Sequence, residues 1–238
     1  MAASAIRHVN ALDPQPDLVL FTGDLVDSGQ AEQYDQLRVL LGELVAPYRL
    51  IPGNHDDREV VREAFFGERP ADERLNAVVD LDPLQVILLD DVLPGSPSGE
   101  LGPDQLAWLD ETLAGVPGKP AVVALHHPPF RTAIEHMDRM GLVDAAAFEA
   151  VVRRHPQIEA VICGHLHRPI TTRWAGTIAV TAPSVAHQVS LDLGPEAPAT
   201  FTLEPPAILL HHWSSAGGLV SHLSYVGHYD GPYRFPHG

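Results

Sequence analysis

Residues 160–167 read AVICGHLH, a short apolar run followed by a glycine and two histidines one residue apart. Such a run predicts a buried strand. Side chains alternate along an extended segment, so we expect His165 and His167 to lie on one side of it. Two imidazoles placed together indicate a metal site. The alternative interpretation of this stretch is an ordinary strand end.

Three further apolar runs end in polar clusters. LVLFTGD (18–24) ends in Asp24, YRLIPGNHD (48–56) contains Asn54 and His55, and AVVALHHP (121–128) contains His126 and His127. Taken singly, each motif also fits a turn, a loop or a strand end. In open α/β sheets, however, ligands bind beyond the carboxyl ends of strands, where separate clusters converge. Carboxylate, amide oxygen and imidazole are donors that suit first-row divalent or trivalent metals.

Segments with helical spacing lie between the predicted strands. Residues 32–44, 103–113 and 143–152 place apolar side chains on one stripe, whereas runs 18–21, 48–51, 86–89, 121–125 and 160–162 are strand-like. Strands that alternate with helices predict a layered α/β domain. After Cys163, strand-like runs 177–181, 201–203, 208–212 and 219–226 continue without strong helices. They predict the closing strands of a second sheet and a short β appendage.

Composition limits the function classes. The 238 residues include 31 acidic and 15 basic ones, for a formal net charge of −16, which argues against a broad basic surface for a nucleic-acid polymer. Cys163 is the sole cysteine, which fits a reducing compartment. The sequence contains neither a signal-peptide pattern nor an apolar window of about 20 residues. We therefore expect a cytoplasmic protein with no membrane partner.

The four polar motifs resemble those of the calcineurin-like metallophosphoesterases. They read GDLVD (23–27), GNHDD (53–57), LHHPP (125–129) and GHLHRP (164–169). The resemblance covers about residues 1–192, and the nearest branch is similar to bacterial class III cyclic-nucleotide phosphodiesterases and glycerophosphodiesterases. It implies a four-layer α/β/β/α sandwich with metals at the sheet ends. We expect this domain over residues 1–204 and a cap or dimerisation segment over residues 205–238, with homodimerisation slightly favoured.

The resemblance also implies residue roles. Asp24 matches the carboxylate that bridges two metals. The second metal would take Asn54, His126 and His165, and the first would take His167, with His127 as the fallback for His126. His55 matches the histidine that contacts phosphate or protonates the leaving group, and its alternative role is to support a ligand. Asp56 and Asp57 are candidates for orienting the ligand rings, or they belong to a solvated turn.

One family motif is missing from the sequence. The family has Asp-x-His after a strand that precedes Gly-Asp, but residues 1–22 contain no such motif, and residues 2–12 predict a helix. His136-Met-Asp138 has the reverse order and lies in a predicted loop. A start placed too far downstream, a natural truncation or a strand from a neighbouring chain would each explain this. We favour the first, because losing a central strand exposes sheet edges.

The expected reaction is hydrolysis of small phosphodiesters, such as cyclic nucleotides or glycerophosphodiesters, by a metal-activated hydroxide. In the complete family the cofactors would be two ions of iron, manganese, zinc or cobalt, whereas this chain is expected to hold about one tightly. Two alternatives stay open. The chain could be an impaired or non-catalytic metal-binding remnant, or it could be a phosphomonoesterase on the same site.

Overall fold

The computed structural model describes residues 1–67 and 74–235. Its helices are α1 (Ala2–Asn10), α2 (Ala31–Leu41), α3 (Arg58–Phe66), α4 (Pro103–Ala114), α5 (Glu135–Asp138) and α6 (Ala145–Arg154). Its strands are β1 (Val19–Thr22), β2 (Tyr48–Ile51), β3 (Ala77–Asp80), β4 (Gln85–Leu88), β5 (Ala121–Leu125), β6 (Ile158–Cys163), β7 (Ile170–Trp174), β8 (Thr177–Thr181), β9 (Gln188–Val189), β10 (Phe201–Thr202), β11 (Ala207–Ser214) and β12 (Gly218–Tyr225).

The largest sheet within these residues has the strand order β3-β4-β5-β6-β8-β7. Strands β4, β5, β6 and β8 are parallel, and β3 and β7 pair antiparallel at the two edges. Both β4 and β5 are buried along their whole length. Continuous burial on both faces explains why these strands are nearly unbroken runs of Val, Ala, Ile and Leu.

Alternate residues of these strands face different layers. On one face, Ile87, Val123 and Val161 pack with the apolar residues of α4 and α6, among them Leu109 and Phe148. On the other face, Leu88, Val122 and Ile162 pack with Leu20 of β1 and Ile51 of β2. The large sheet therefore lies between a helical layer and a second β layer.

The second β layer is covered in turn by helices. Strands β1 and β2 pair in parallel, and Leu50 packs with Ile6, Tyr34 and Val61 from α1, α2 and α3. The order of layers is helix, sheet, sheet, helix. This confirms the predicted α/β sandwich.

Hairpin β11–β12 contributes to the second β layer. Its strands pair antiparallel from Ala207↔Tyr225 to Ser214↔Gly218, and Leu209 and Leu219 pack on the cluster between the sheets. A role of residues 205–238 in dimerisation stays a prediction. No helix in the described residues is long and apolar enough to cross a membrane.

The sequence analysis missed several elements, and two expectations were wrong. The run 177–181 is β8 and pairs with β6 in the large sheet, so it does not belong to a second sheet. Helix α3 and the edge strands β3 and β7 were not predicted. The segment that contains His136-Met-Asp138 is the short helix α5 rather than a loop. Helix α3 has a recognisable signal, because Asp57 accepts hydrogen bonds from the backbone amides of Glu59 and Val60 as its N-cap.

Candidate metal centre

Four polar clusters meet at one edge of the two sheets. Strands β1, β2, β5 and β6 end at Thr22, Ile51, Leu125 and Cys163. The polar residues follow within four positions of each end. Because β1 runs parallel to β2 and β5 runs parallel to β6, the carboxyl ends of each pair lie side by side.

The structure brings together the four side chains that the sequence predicted as one group. Oδ1 of Asn54 lies 3.1 Å from Nε2 of His126 and 3.0 Å from Nδ1 of His165. Nε2 of His126 is also 3.4 Å from Oδ2 of Asp24. These atoms surround one small volume, and their use as ligands remains a proposal.

His126 is held with Nε2 facing this volume. Its Nδ1 lies 2.7 Å from the carbonyl oxygen of Thr22 and therefore carries the hydrogen of that bond. Burial lowers the pKa of His126, but Asp24, the charge of Asp91 and the hydrogen bond to Thr22 together outweigh burial and raise the pKa to about 9. Burial would raise the pKa of Asp24, yet the charge of His126 holds it well below its usual range. The two shifts have one cause, because each side chain favours the charged form of the other.

His165 and His167 have ring nitrogens that the described residues leave without partners. Nε2 of His165 and Nδ1 of His167 are buried and make no hydrogen bond within residues 1–67 and 74–235. Burial, and then the charges of His126 and His127, lower the pKa of His165 well below its ordinary value. Buried lone pairs without donors are costly. The other ring nitrogens, Nδ1 of His165 and Nε2 of His167, face the group. Carboxylate, amide oxygen and imidazole nitrogen together suit a divalent cation.

His127 was the fallback ligand, and its geometry separates it from His126. His126, His127 and His165 form a buried trio whose potential ligand atoms lie within 4.8 Å of one another. However, Nδ1 of His127 is 3.2 Å from Oδ2 of Asp91, and its Nε2 is 3.1 Å from the carbonyl oxygen of Pro97. Both ring nitrogens of His127 already face acceptors, whereas Nε2 of His126 faces Asn54 and Asp24, so the ligand role of His126 stays the prediction.

The backbone is crowded where the site loops meet. A Cβ on Gly53 would collide with the backbone nitrogen and the carboxylate of Asp24. Asp24, His165 and His167 all have left-handed backbones, with φ of 51°, 63° and 53°. The segment after β6 is therefore a turn, and the expectation of an extended strand was wrong, although both imidazoles face the group that contains Asp24 and Asn54. Left-handed conformations cost energy in residues with a Cβ and concentrate at functional sites.

His55 lies beside the group rather than within it. Its side chain is exposed, and its Nδ1 donates to the carbonyl oxygen of Asp27 at 2.9 Å. Its backbone amide donates to Oδ1 of Asp24 at 3.1 Å. The ring is therefore anchored through Nδ1, which leaves Nε2 for a substrate.

Asp56 and Asp57 do not orient the ligand rings. Asp56 is buried and accepts hydrogen bonds from the backbone amides of Leu25 and Gly53. Asp57 caps α3. The expected role for these carboxylates was wrong, and Thr22 provides the acceptor for His126 instead.

The sequence analysis missed two residues near the centre. Asp91 is fully buried behind His126 and His127 and accepts hydrogen bonds from both of their backbone amides. It follows strand β4, so its position at a strand end was an available signal. The ring of His187 packs against that of His167, with centroids 4.7 Å apart and the ring planes tilted by 58°. It lies in a loop after β8, and nothing in its surrounding sequence distinguishes it.

The chain is similar to known phosphoesterases in sequence and in fold. A family profile of calcineurin-like phosphoesterases matches residues 2–169. A probable glycerophosphodiester phosphodiesterase GpdQ of Arcobacter nitrofigilis is 39% identical over 98% of this chain and 86% of its own length. A probable cyclic nucleotide phosphodiesterase of Rhodopseudomonas palustris is 34% identical over 97% of this chain and 85% of its own length. A dimetal phosphatase from Danio rerio shares the fold, with a TM-score of 0.64 and 14% identity over 95% of this chain and 88% of that one.

Proposed function

The chain belongs to the calcineurin-like phosphoesterase family, and we propose that it hydrolyses small phosphodiesters. The observation that carries the proposal is the convergence of Asp24, Asn54, His126 and His165 on one volume, with His55 beside it. The similarity to a probable glycerophosphodiester phosphodiesterase and to a probable cyclic nucleotide phosphodiesterase supports a diester rather than a monoester.

The donor set defines where a divalent ion would bind. Asp24, Asn54, His126 and His165 would hold one ion, and His167 would hold a second ion that shares Asp24, whose Oδ2 is 3.7 Å from Nε2 of His167. Such ions, when bound, would neutralise phosphate charge and lower the pKa of the water that attacks phosphorus.

His55 would handle the proton of the leaving group. Because Nδ1 is engaged by the carbonyl of Asp27, only Nε2 can approach a substrate oxygen. In the protonated ring, Nε2–H would donate its proton to the departing alkoxide, which is a poor leaving group without it. Asp27 fixes the orientation of the ring while the exposed edge remains accessible to a ligand.

The proposal is tested with the purified chain after reconstitution with Mn²⁺. We expect turnover of bis(p-nitrophenyl) phosphate that chelation abolishes and that exceeds turnover of p-nitrophenyl phosphate. Asn54→Ala removes an oxygen at the centre of the group and should abolish both metal retention and turnover. His212→Ala, at an exposed position on β11, is the matched control and should leave both unchanged.

Two other outcomes would replace the proposal. Faster turnover of the monoester would identify a phosphomonoesterase on the same site. Metal binding at the Asn54-dependent site without turnover of either ester would identify a metal-binding protein that is not a catalyst.

A further inference from the structure

Three aromatic rings form a continuous path from the candidate metal centre to the protein surface. The ring centroids of His167 and His187 are 4.7 Å apart, and those of His187 and Phe201 are 4.8 Å apart. His167 lies beside Asp24 at the inner end of the path. At the outer end, Phe201 exposes 63% of its surface. A single exposed aromatic ring is common, but one joined ring by ring to a metal-site histidine is not a scattered surface residue.

The outer ring is held in place by the hairpin that contains it. Strands β9 and β10 pair antiparallel, with Phe201 opposite Val189. Arg168 follows His167 directly, donates to the carbonyl of Val189 at 2.7 Å and pairs with Glu204 at 2.9 Å. The loop that supplies His167 therefore fixes the hairpin on both sides of Phe201.

The path borders the side of the centre where His55 lies. His187 is half-buried and packs against His167, whose Nε2 lies 3.7 Å from Oδ2 of Asp24. Oδ1 of the same carboxylate accepts the backbone amide of His55 at 3.1 Å. A phosphate near His55 and His167 would therefore have the rings of His187 and Phe201 on one flank.

We propose that the exposed ring of Phe201, packed against His187, is a stacking face for a planar group of the substrate, so that this chain favours diesters that contain a nucleobase over diesters of glycerol. The inference rests on the proposed function and specifies its substrate class. Every nucleobase presents a π face to an aromatic ring, whereas glycerol and its alkyl esters present none. An exposed phenyl ring gains contact area when a base covers it.

The test compares two ligands of equal charge, AMP and glycerol 3-phosphate, on the Mn²⁺-reconstituted chain. Binding is measured directly, so the result does not depend on turnover. In Phe201→Ala we expect Kd for AMP to rise about 5- to 30-fold, the lower part of the range for loss of one base-stacking ring. Kd for glycerol 3-phosphate should stay within about twofold.

Two further variants separate stacking from other effects. Phe201→Leu keeps an apolar side chain without a ring and should weaken AMP binding nearly as much as Phe201→Ala does. Val39→Ala shortens another highly exposed apolar side chain, on α2, and should change neither constant. The stacking face would be overturned if Kd changed equally for both ligands in Phe201→Ala, or if Phe201→Leu kept the wild-type Kd for AMP.

Turnover measurements distinguish this inference from the proposed function. With 3′,5′-cyclic AMP and glycerophosphoethanolamine as substrates, Phe201→Ala should raise KM for the cyclic nucleotide alone and leave kcat for both within about twofold. If the wild-type chain cleaves neither diester, the proposed function fails, and the ratio of the AMP and glycerol 3-phosphate constants still decides whether the stacking face exists.

Discussion

The phenol oxygen of Tyr34 lies 3.0 Å from Oδ1 of Asp56, and both residues are buried. The same phenol oxygen accepts the backbone amide of Asp57 at 2.9 Å. Asp56 in turn accepts the amides of Leu25 at 3.0 Å and Gly53 at 2.8 Å. This pair therefore joins the loop that follows β1 to the loop that follows β2, and it fixes the separation of the two metal-site motifs.

Tyr34→Phe should loosen this connection without altering a proposed ligand. The variant removes one buried hydrogen bond and leaves the amide of Asp57 without its acceptor. We expect the free energy of unfolding to fall by about 1–3 kcal/mol and metal affinity to fall with it. Urea unfolding and metal titration measure the two effects.

Tyr48→Phe is the matched control for that prediction. Tyr48 begins β2, and its hydroxyl makes no hydrogen bond with the residues that the structure describes. Removing this hydroxyl should leave stability and metal affinity nearly unchanged. Equal effects of the two substitutions would show that the Tyr34–Asp56 contact does not hold the loops.

His55→Ala should reduce turnover in a way that depends on the leaving group. If His55 supplies a proton through Nε2, loss of the ring should lower kcat about 10²–10⁴-fold for an alkyl diester. A nitrophenyl diester needs little protonation and should lose far less. Metal content should not change, and His212→Ala serves as the control. Metal loss together with turnover would make His55 a structural residue.

The sequence was sufficient to predict much of the fold because the central strands are buried on both faces. The run 121–125 is apolar at every position, so it shows no helical spacing that would compete with a strand. The structure places β5 there. Strands β3 and β7 are edge strands with partly exposed faces, so their apolar pattern is weak. Their assignment depends on pairing with β4 and β8, which a local sequence does not reveal.

The candidate site could be predicted where polar residues that can bind a metal follow a strand directly. Asp24, Asn54 and His126 met this condition, and the structure brings them together. His187 did not, because its place beside His167 arises from the path of a loop. The turn at His165 was also hidden, since a left-handed backbone is uncommon in residues with a Cβ and the apolar run before it predicts an extended segment.

Asp91→Asn tests whether the buried carboxylate behind the centre positions the histidines. Oδ2 of Asp91 lies 2.8 Å from the amide of His127 and 3.2 Å from its ring Nδ1. The side-chain amide of an asparagine has an NH₂ group where Asp91 has an oxygen, and this group would face the N–H groups that Asp91 now accepts. We expect a loss of about 2–4 kcal/mol in the free energy of unfolding, with weaker metal binding.

Asp80→Asn controls for the charge change in that experiment. Asp80 is on the exposed side of β3 and pairs with Lys119. Its substitution should leave the unfolding midpoint and metal binding nearly unchanged. If Asp91→Asn behaved in the same way, Asp91 would have no positioning role.

His211 predicts a specific pH dependence of stability. Burial lowers its pKa from the ordinary 6.5 to about 4. Between these values the unfolded chain binds a proton at this residue that the folded chain does not, so the free energy of unfolding falls as pH decreases from 6.5 to 4. The contribution is at most about 3 kcal/mol and is absent above pH 6.5.

His211→Gln should remove this contribution. Urea unfolding measures the free energy of unfolding of both proteins. As pH falls from 6.5 to 4, the wild type should lose more of this free energy than the variant does. His222→Gln, at an exposed position on the paired strand β12, should show no such trend. Parallel pH curves for wild type and His211→Gln would refute the assignment.

Metal binding in this chain should be asymmetric between the two proposed positions. One position has a carboxylate, an amide oxygen and two imidazoles from Asp24, Asn54, His126 and His165. Within the described residues, the other has only His167 and the shared Asp24. Each protein ligand contributes to affinity, and water completes the coordination where ligands are few. We therefore expect about one tightly held ion per chain by metal analysis.

Two substitutions decide between symmetric and asymmetric binding. His165→Ala removes a ligand of the fuller position and should abolish the tightly held ion. His167→Ala should leave that ion in place, because it removes a ligand only from the poorer position. Neither result depends on turnover, since bound metal is counted after gel filtration. Two tightly held ions in the wild-type chain, or loss of the tight ion in His167→Ala, would show that the ligands are not divided in this way.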